Sequence, residues 1–178
     1  MEIVEISKDK INDIKGLNEP FEIIGKIKPL FVNDEWSYKE ELFDDSRWQS
    51  YPDEDTDYSE YVDSPYKTAF LAYVDDIFAG IIIVRKDWNK YAFVEDISVV
   101  KKYRGKGVGT ALMQKMIEWV KTEEMDGLAL ETQDNNLLAC RFYSKCGFKL
   151  GAVNTMLYKN LEKPFCDATA VYWYMRFR

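Results

Sequence analysis

The stretch Ile97-Ser-Val-Val-Lys-Lys-Tyr-Arg-Gly-Lys-Gly-Val-Gly-Thr-Ala-Leu-Met-Gln-Lys-Met-Ile-Glu-Trp-Val120 predicts a strand end, a glycine turn and a helix. Gly105, Gly107 and Gly109 carry no side chain, so the backbone can bend sharply there and approach a bulky anion. Apolar residues then recur at helical spacing, namely Leu112, Met113, Met116, Ile117 and Val120. The positive end of this helix adjoins the turn, which predicts a phosphate-binding site.

Two common phosphate-binding motifs do not fit this turn. A P-loop requires Gly-Lys followed by Ser or Thr, whereas Gly105-Lys106 is followed by a glycine. A dinucleotide fingerprint requires a third glycine where the chain has Thr110, and an acidic residue about 20 residues later at the end of the next strand. The spacing therefore excludes the first motif and disfavours the second.

The turn does match the pattern Arg-x-x-Gly-x-Gly, over Arg104–Gly109. It resembles the acyl-CoA-binding signature of the GCN5-related N-acetyltransferase (GNAT) family. The later segment Asn136-Leu-Leu-Ala-Cys-Arg-Phe-Tyr-Ser-Lys-Cys-Gly-Phe148 is similar to a second motif of that family. Taken alone, the glycines could form a surface turn, and Phe142 and Tyr143 could be core aromatics. The two motifs together imply an enzyme that uses acetyl-CoA as cosubstrate.

The hydrophobic pattern predicts a mixed α/β (α+β) fold with a mostly antiparallel central sheet and helices on both faces. The predicted elements are strands Ile3–Ile6, Lys67–Val74, Ile77–Arg85, Tyr91–Val99, Leu128–Thr132, Phe148–Tyr158 and Thr169–Phe177, with helices after Gly109 and over Asn135–Cys146. A strand, a helix and a strand in succession favour parallel pairing. The resemblance implies that this parallel pair splays apart and holds the pantetheine arm of the coenzyme.

Composition favours one domain over residues 1–178, since 47% of the residues are hydrophobic. Without a long apolar run, and with an acidic start at Glu2 and Glu5, the chain is expected to be cytoplasmic, with no membrane partner. Three cysteines without Cys-x-x-Cys spacing, and no histidine, predict no metal site. The missing histidine also leaves proton transfer to carboxylates, tyrosines, water or substrate groups.

The negative charge is concentrated in one segment. Residues 33–63 hold twelve acids against Lys39 and Arg47, a net charge of −10 within a total of −7. We expect a short helix over Ser37–Phe43 and an acidic, loop-rich insertion at about 33–65. Nucleic acid is not an expected partner, because binding to it requires lysine and arginine against the phosphates.

The family resemblance implies roles for particular residues. Tyr143 takes the position of the tyrosine that protonates the coenzyme A thiolate. Glu95 and Asp96 are candidate bases, directly or through water, or ligands of the ammonium; strand alternation predicts that they face opposite sides, and a purely structural role also stays open. The predicted coenzyme contacts are Ile97, Val99, Arg104, Gly105, Lys106, Gly107, Val108, Gly109, Thr110 and Asn136, with Lys101 and Lys102 nearby. Asn136 could instead serve only to start its helix.

A longer resemblance covers nearly the whole chain. Phe21-Glu-Ile-Ile-Gly-Lys-Ile-Lys-Pro29, Arg85-Lys-Asp-Trp-Asn-Lys-Tyr-Ala-Phe-Val-Glu-Asp-Ile97, Glu131-Thr-Gln-Asp-Asn-Asn136 and Asn154-Thr-Met-Leu-Tyr158 look like the streptothricin acetyltransferases. That resemblance implies acetylation of the β-lysine amine of a polycationic antibiotic, and hence antibiotic resistance.

The acidic segment suits a cationic small-molecule amine, since carboxylates around a cleft attract and orient a cation. Its candidate substrate contacts are Asp53, Glu54, Asp55 and Asp57. A protein or polyamine N-acetyltransferase, and a non-catalytic domain that only binds acyl-CoA, remain alternatives. A homodimer is also left open.

Overall fold

The structure is a computed structural model that describes residues 1–51 and 56–177. The strands of the described chain are β1 Glu2–Glu5, β2 Phe21–Val32, β3 Glu35–Gln49, β4 Lys67–Val74, β5 Ile77–Lys86, β6 Tyr91–Val99, β7 Gly127–Gln133, β8 Lys149–Asn154 and β9 Ala170–Arg176. The α-helices are α1 Val108–Thr122 and α2 Leu137–Lys145. Short 3-10 helices cover Lys8–Asp13, Tyr58–Tyr61, Lys101–Tyr103 and Phe165–Asp167.

Seven strands form one mixed sheet in the order β1-β4-β5-β6-β7-β9-β8, mostly antiparallel with one parallel pair, while β2 and β3 form a separate hairpin. This confirms the predicted fold class.

The chain divides into two compact units. The first comprises Met1–Glu19, Tyr51–Leu128 and Arg176–Arg178, and the second comprises Pro20–Ser50 and Ala129–Met175. The prediction of a single domain over residues 1–178 stays a prediction. Neither α-helix of the described chain is long and apolar enough to cross a membrane.

In the first unit, β4, β5 and β6 form consecutive antiparallel pairs covered on both faces. The turn Asp75-Asp76 joins β4 to β5 with positive φ at both residues, as a tight hairpin requires. On one face, the α1 side chain Leu112 packs above Gly80 of β5, and a Cβ added at Gly80 would lie 3.4 Å from it. The opposite face packs Ile81 and Ile83 with Tyr61 from a 3-10 helix. These two layers are called below the α1 face and the opposite face.

The second unit contains α2, β8, β9 and the long β2–β3 hairpin. Asn136 caps the start of α2, and Gly147 follows its end with φ of 99°, the left-handed conformation that favours glycine at this position. Gly25 of β2 admits no side chain, because a Cβ there would lie 2.3 Å from the carbonyl oxygen of Glu41. Close approach of the two hairpin strands therefore depends on this glycine.

The helix predicted over Ser37–Phe43 is wrong, because these residues belong to β3. Cross-strand pairing with β2 sets their conformation, with Lys28 opposite Lys39 and Gly25 opposite Leu42. The predicted loop-rich character is likewise wrong for residues 35–49, where the acids lie on a strand and Glu41 pairs with Lys28 across the hairpin. Turns and a 3-10 helix occur instead at 56–66.

We expect Leu112→Ala to lower the free energy of unfolding by about 2–5 kcal/mol, because it leaves a cavity between α1 and β5. Leu112 is fully buried, and Gln114 on the same helix is exposed. Urea denaturation of both alanine variants tests the packing. An equal effect from Gln114→Ala, where a change within about 0.5 kcal/mol is expected, would contradict it.

Candidate active site

The glycine turn between β6 and α1 has the geometry expected of an anion site. Gly105 and Gly107 have φ of 71° and 87°, a conformation that side chains rarely adopt. A Cβ built on either glycine meets no atom within 4 Å, so the space in front of the turn is open. These positions therefore need glycine for their backbone and leave room for a ligand.

The first turn of α1 presents backbone donors to this space. The Ala111 N–H donates to the Gly107 carbonyl oxygen at 3.0 Å and begins the helical ladder. The N–H groups of Val108, Gly109 and Thr110 precede that ladder and have no acceptor within the helix. Together with the positive end of the helix dipole they suit a phosphate group, so the turn fits the pyrophosphate of acetyl-CoA.

Arg104 holds the turn against the strand that precedes it. Its Nε donates to the Val99 carbonyl oxygen at 2.9 Å, and its Nη2 lies 3.4 Å from the Glu19 carbonyl oxygen. The Glu19 carboxylate in turn accepts the Lys101 backbone N–H at 2.5 Å. Arg104 thus has a structural role at the turn, and its predicted coenzyme contact stays a prediction.

Sequence reasoning missed Glu19. Its contacts join positions about 80 residues apart in the chain, and no local pattern indicates such a pairing.

Lysines surround the turn on exposed positions. Lys102 Nζ lies 4.6 Å from the centre of the Tyr103 ring, and Lys106 Nζ lies 5.9 Å from it. The aromatic ring keeps two cations beside the glycine turn without neutralising them. This concentration of positive charge favours an anionic ligand.

The prediction that Glu95 and Asp96 face opposite sides of β6 is wrong. Ile83 of β5 pairs with Asp96 and the next residue, Val84, pairs with Val94, so Glu95 is an extra residue in a β-bulge. Asp96 shares the face of Ile83, and Glu95 contacts Tyr61 on that same face. The bulge therefore brings both carboxylates to the opposite face, away from α1.

The two carboxylates have different partners. Glu95 accepts hydrogen bonds from the Tyr61 hydroxyl at 2.7 Å and from Arg85 Nη1 at 3.1 Å. Burial and the adjacent Glu95 carboxylate raise the pKa of the Tyr61 hydroxyl, which therefore stays a donor. Asp96 accepts from the Ser98 hydroxyl at 2.7 Å. Their predicted roles in proton transfer stay predictions.

Ile97 and Val99 follow the bulge and turn their side chains to the α1 face, opposite Ile82 and Gly80 of β5. Plain packing accounts for these side chains. A coenzyme contact at these positions would have to use the backbone, as predicted.

Tyr143 and Asn136 belong to the second unit, whereas the glycine turn, Glu95 and Asp96 belong to the first. The Tyr143 ring is 9% exposed, with ring centres of Phe148 and Trp173 at 6.1 and 6.5 Å. Asn136 Oδ1 accepts the Ala139 N–H at 3.2 Å, so its helix-start role is confirmed. The proton-donor role of Tyr143 and the coenzyme contact of Asn136 stay predictions.

The four candidate substrate contacts are described only in part. Asp53, Glu54 and Asp55 lie outside the described residues. Asp57 Oδ1 accepts the backbone N–H and the hydroxyl of Ser59 at 2.9 and 2.6 Å, and these bonds lower the pKa of its carboxyl group. Asp57 therefore caps the 3-10 helix Tyr58–Tyr61, a local structural role that the sequence reasoning did not include.

A polar cluster that sequence reasoning did not assign to the site lies in the second unit. The tyrosine–carboxylate cluster consists of Glu131 on β7, Asn154 at the end of β8, Tyr158 and Tyr172 on β9. The Tyr158 hydroxyl donates to Glu131 Oε1, and Asn154 Oδ1 accepts the backbone N–H groups of Met156 and Leu157. A charged residue within a strand that is otherwise buried was the available sequence signal.

The part of the chain that the structure describes holds no group of three or more Cys, Asp or Glu placed to bind a metal ion. Cys140 is buried, and burial raises the pKa of its thiol to about 12. Its thiol is therefore protonated at neutral pH, as expected of a packed side chain.

Known proteins resemble the chain over nearly its full length. The pattern of the Acetyltransferase (GNAT) family matches residues 31–148. Streptothricin acetyltransferase A of Bacillus subtilis (strain 168) is 46% identical over 98% of this chain and 99% of its own. A streptothricin acetyltransferase of Escherichia coli is 39% identical over 58% of this chain and 59% of its own.

Two solved structures are also similar to the chain over nearly its full length. A Bacillus anthracis (str. Ames) protein assigned as a streptothricin acetyltransferase, solved in complex with acetyl coenzyme A, superposes with a TM-score of 0.91 and 35% identity over 99% of both chains. Nourseothricin acetyltransferase superposes with a TM-score of 0.80 and 27% identity, covering 98% of this chain and 97% of its own. On the glycine turn, the fold and these similarities, the chain belongs to the GNAT acetyltransferase family.

Proposed function

We propose that the protein is an acetyl-CoA-dependent N-acetyltransferase that acetylates a primary amine of streptothricin, the β-lysine amine, and so confers resistance to the antibiotic. The observation that carries the proposal is its 46% identity with streptothricin acetyltransferase A over 98% of the chain. The open glycine turn at the start of α1 agrees with it, because it suits the phosphates of the cosubstrate.

Acetyl-CoA supplies the acetyl group as a thioester. In the proposal, the N–H groups at Gly105–Thr110 bind its pyrophosphate, and Lys101, Lys102 and Lys106 add positive charge beside them. The Ile97–Val99 backbone binds the pantetheine arm by strand-like hydrogen bonds, and Asn136 adds a further contact. Arg104 keeps the turn closed on Val99 while the anion binds.

The reaction joins the amine nitrogen to the acetyl carbon and breaks the carbon–sulfur bond. A primary amine with a pKa near 10.4 is an ammonium ion at neutral pH, and it must lose a proton before it can attack. In the proposal that proton leaves to Glu95 or Asp96, directly or through water, and Tyr143 gives its proton to the departing thiolate. Arg85 and Tyr61 hold the Glu95 carboxylate, and the Ser98 hydroxyl donates to Asp96.

The acidic segment completes the proposal as a collector of the polycationic substrate, with Asp53, Glu54, Asp55 and Asp57 as its candidate contacts. Location in the cytoplasm and a homodimer also stay proposals. Release of coenzyme A thiol with streptothricin, spermidine or a lysine peptide as acceptor tests the function. Turnover with streptothricin alone supports it, turnover only with another amine would correct the substrate, and binding of acetyl-CoA without turnover would indicate a non-catalytic domain.

Gly107→Val is expected to weaken acetyl-CoA binding by roughly 10-fold or more, because a branched side chain fills the open space and disturbs the donors at the helix start. Asn33→Val is the matched control, since Asn33 has φ of 52° and is exposed in the turn between β2 and β3. Calorimetry with acetyl-CoA measures both. Equal affinities of the two folded variants would contradict the phosphate site.

Tyr143→Phe is expected to lower kcat by roughly 10²-fold with little change in acetyl-CoA affinity, because it removes a proton donor and keeps the ring packing. Tyr66→Phe, at an exposed tyrosine, provides the control. Steady-state kinetics under conditions where chemistry limits the rate give the comparison. A parental kcat for Tyr143→Phe would reduce Tyr143 to a core aromatic.

Neutralising the acidic segment by D53N, E54Q and D55N together is expected to raise KM for streptothricin and flatten its dependence on salt, because screened attraction is lost. Asp57 stays intact, since it caps a 3-10 helix. The control D75N, D76N and E118Q removes the same charge at exposed positions elsewhere. Identical salt slopes in both triple variants would exclude a recognition role for the segment.

A further inference from the structure

Glu131 is a half-buried carboxylate on a strand whose neighbouring side chains are buried. Leu128 and Leu130 of β7 are 0% and 1% exposed, and strand alternation turns Glu131 to the other face of the sheet. Burial and the nearby Glu131 carboxylate raise the pKa of the Tyr172 hydroxyl on β9. Glu131 thus lies in a largely buried setting near a tyrosine.

The surroundings of Glu131 hold its carboxylate in one orientation. Asn154 Oδ1 accepts the backbone N–H groups of Met156 and Leu157 at 2.9 and 3.1 Å, which forms the turn that carries Tyr158. The Tyr158 hydroxyl donates to Glu131 Oε1. The predicted strand Phe148–Tyr158 is therefore wrong beyond Asn154, and the turn that replaces its end places a donor against Glu131.

In the described chain, Glu131 differs from Glu40, Glu41 and Glu95 in having no lysine or arginine as an ion-pair partner. Glu40 pairs with Arg141 at 2.5 Å, Glu95 with Arg85 at 3.1 Å, and Glu41 with Lys28. Among the described residues no lysine or arginine forms an ion pair with Glu131. Burial raises the pKa of its carboxyl group, and the Tyr158 hydrogen bond opposes that shift. A partly desolvated carboxylate with one tyrosine donor is incompletely compensated.

We propose that Glu131 binds a primary ammonium group of the acceptor substrate, with Tyr158 fixing the carboxylate and Tyr172 lining the same site. An ammonium ion brings the missing charge and hydrogen-bond donors, and the electron-rich face of a tyrosine also attracts it. The inference rests on the proposed function, because it assigns a binding contact to an amine substrate. It concerns recognition and assigns no proton transfer to Glu131.

Substrate kinetics of Glu131→Gln test this site. Glutamine keeps the shape of the side chain and an acceptor for the Tyr158 hydroxyl but removes the charge. We expect KM for streptothricin to rise roughly 10- to 100-fold, the effect of losing a charged hydrogen bond, with kcat nearly unchanged. Calorimetric affinity for acetyl-CoA and the melting temperature should stay at parental values.

Two further variants make the comparison specific. Glu118→Gln removes an exposed carboxylate from α1 and should change no kinetic constant. Tyr158→Phe keeps the Glu131 charge but frees its orientation, so KM should rise less than in Glu131→Gln while kcat stays close to parental. If Glu131→Gln does not fold, Glu131→Asp replaces it, since the charge remains but retreats by one methylene group and KM should again rise.

The outcomes separate this inference from the proposed function. A folded Glu131→Gln protein with parental KM, or with lower kcat at unchanged KM, would overturn the binding role while streptothricin acetylation by the parent stands. If the parent acetylates only another amine, the substrate proposal fails, and the same variants measured with that amine decide on Glu131. If the parent transfers acetyl groups to no amine, both proposals fall.

Discussion

The Arg104 guanidinium joins the end of β6 to the turn that begins α1, and the geometry of the anion site depends on this bond. The bond from Arg104 to the Val99 carbonyl oxygen spans the turn with its two left-handed glycines, and together with the packing of Leu112 on β5 it fixes the direction in which α1 leaves the strand. Glu19 strengthens the same junction through its carboxylate and its carbonyl group. The donors at the helix start are thus held in place before any ligand arrives, which reduces the ordering cost of binding.

Carboxylates serve three different purposes in this acidic chain. Two carboxylates of the β2–β3 hairpin are paired with cations, Glu41 with Lys28 and Glu40 with Arg141 of α2, and the second pair lowers the pKa of the Glu40 carboxyl group. Asp57 satisfies backbone donors at a helix start. Glu131 has neither kind of partner beyond one tyrosine. The net charge of −7 therefore says less about recognition than the partners of each carboxylate do.

The sequence predicted the parts of the fold whose determinants are local. Strand β6 has the predicted bounds Tyr91–Val99, and α2 lies within the predicted Asn135–Cys146 with Asn136 at its start, because alternation, helical spacing and glycine placement act over a few residues. The helix prediction for residues 37–43 failed because pairing with β2, the preceding strand of the hairpin, outweighs weak local preference. The structural contacts of Glu19 and Tyr158 were not predicted, because each residue bonds to a partner far away in the sequence.

The bulge at Glu95 also bears on how this strand tolerates changes in length. Val94 and Ile97 both face α1, and they pair with Val84 and Ile82 of β5. They are three positions apart in the sequence, so strict alternation would place them on different faces of the strand. The extra residue, Glu95, thus allows both side chains to face α1. Loss of Glu95 alone would restore ordinary alternation and leave both apolar side chains on the α1 face. A one-residue deletion at this position would therefore remove a carboxylate while the apolar side chains of the strand keep their face.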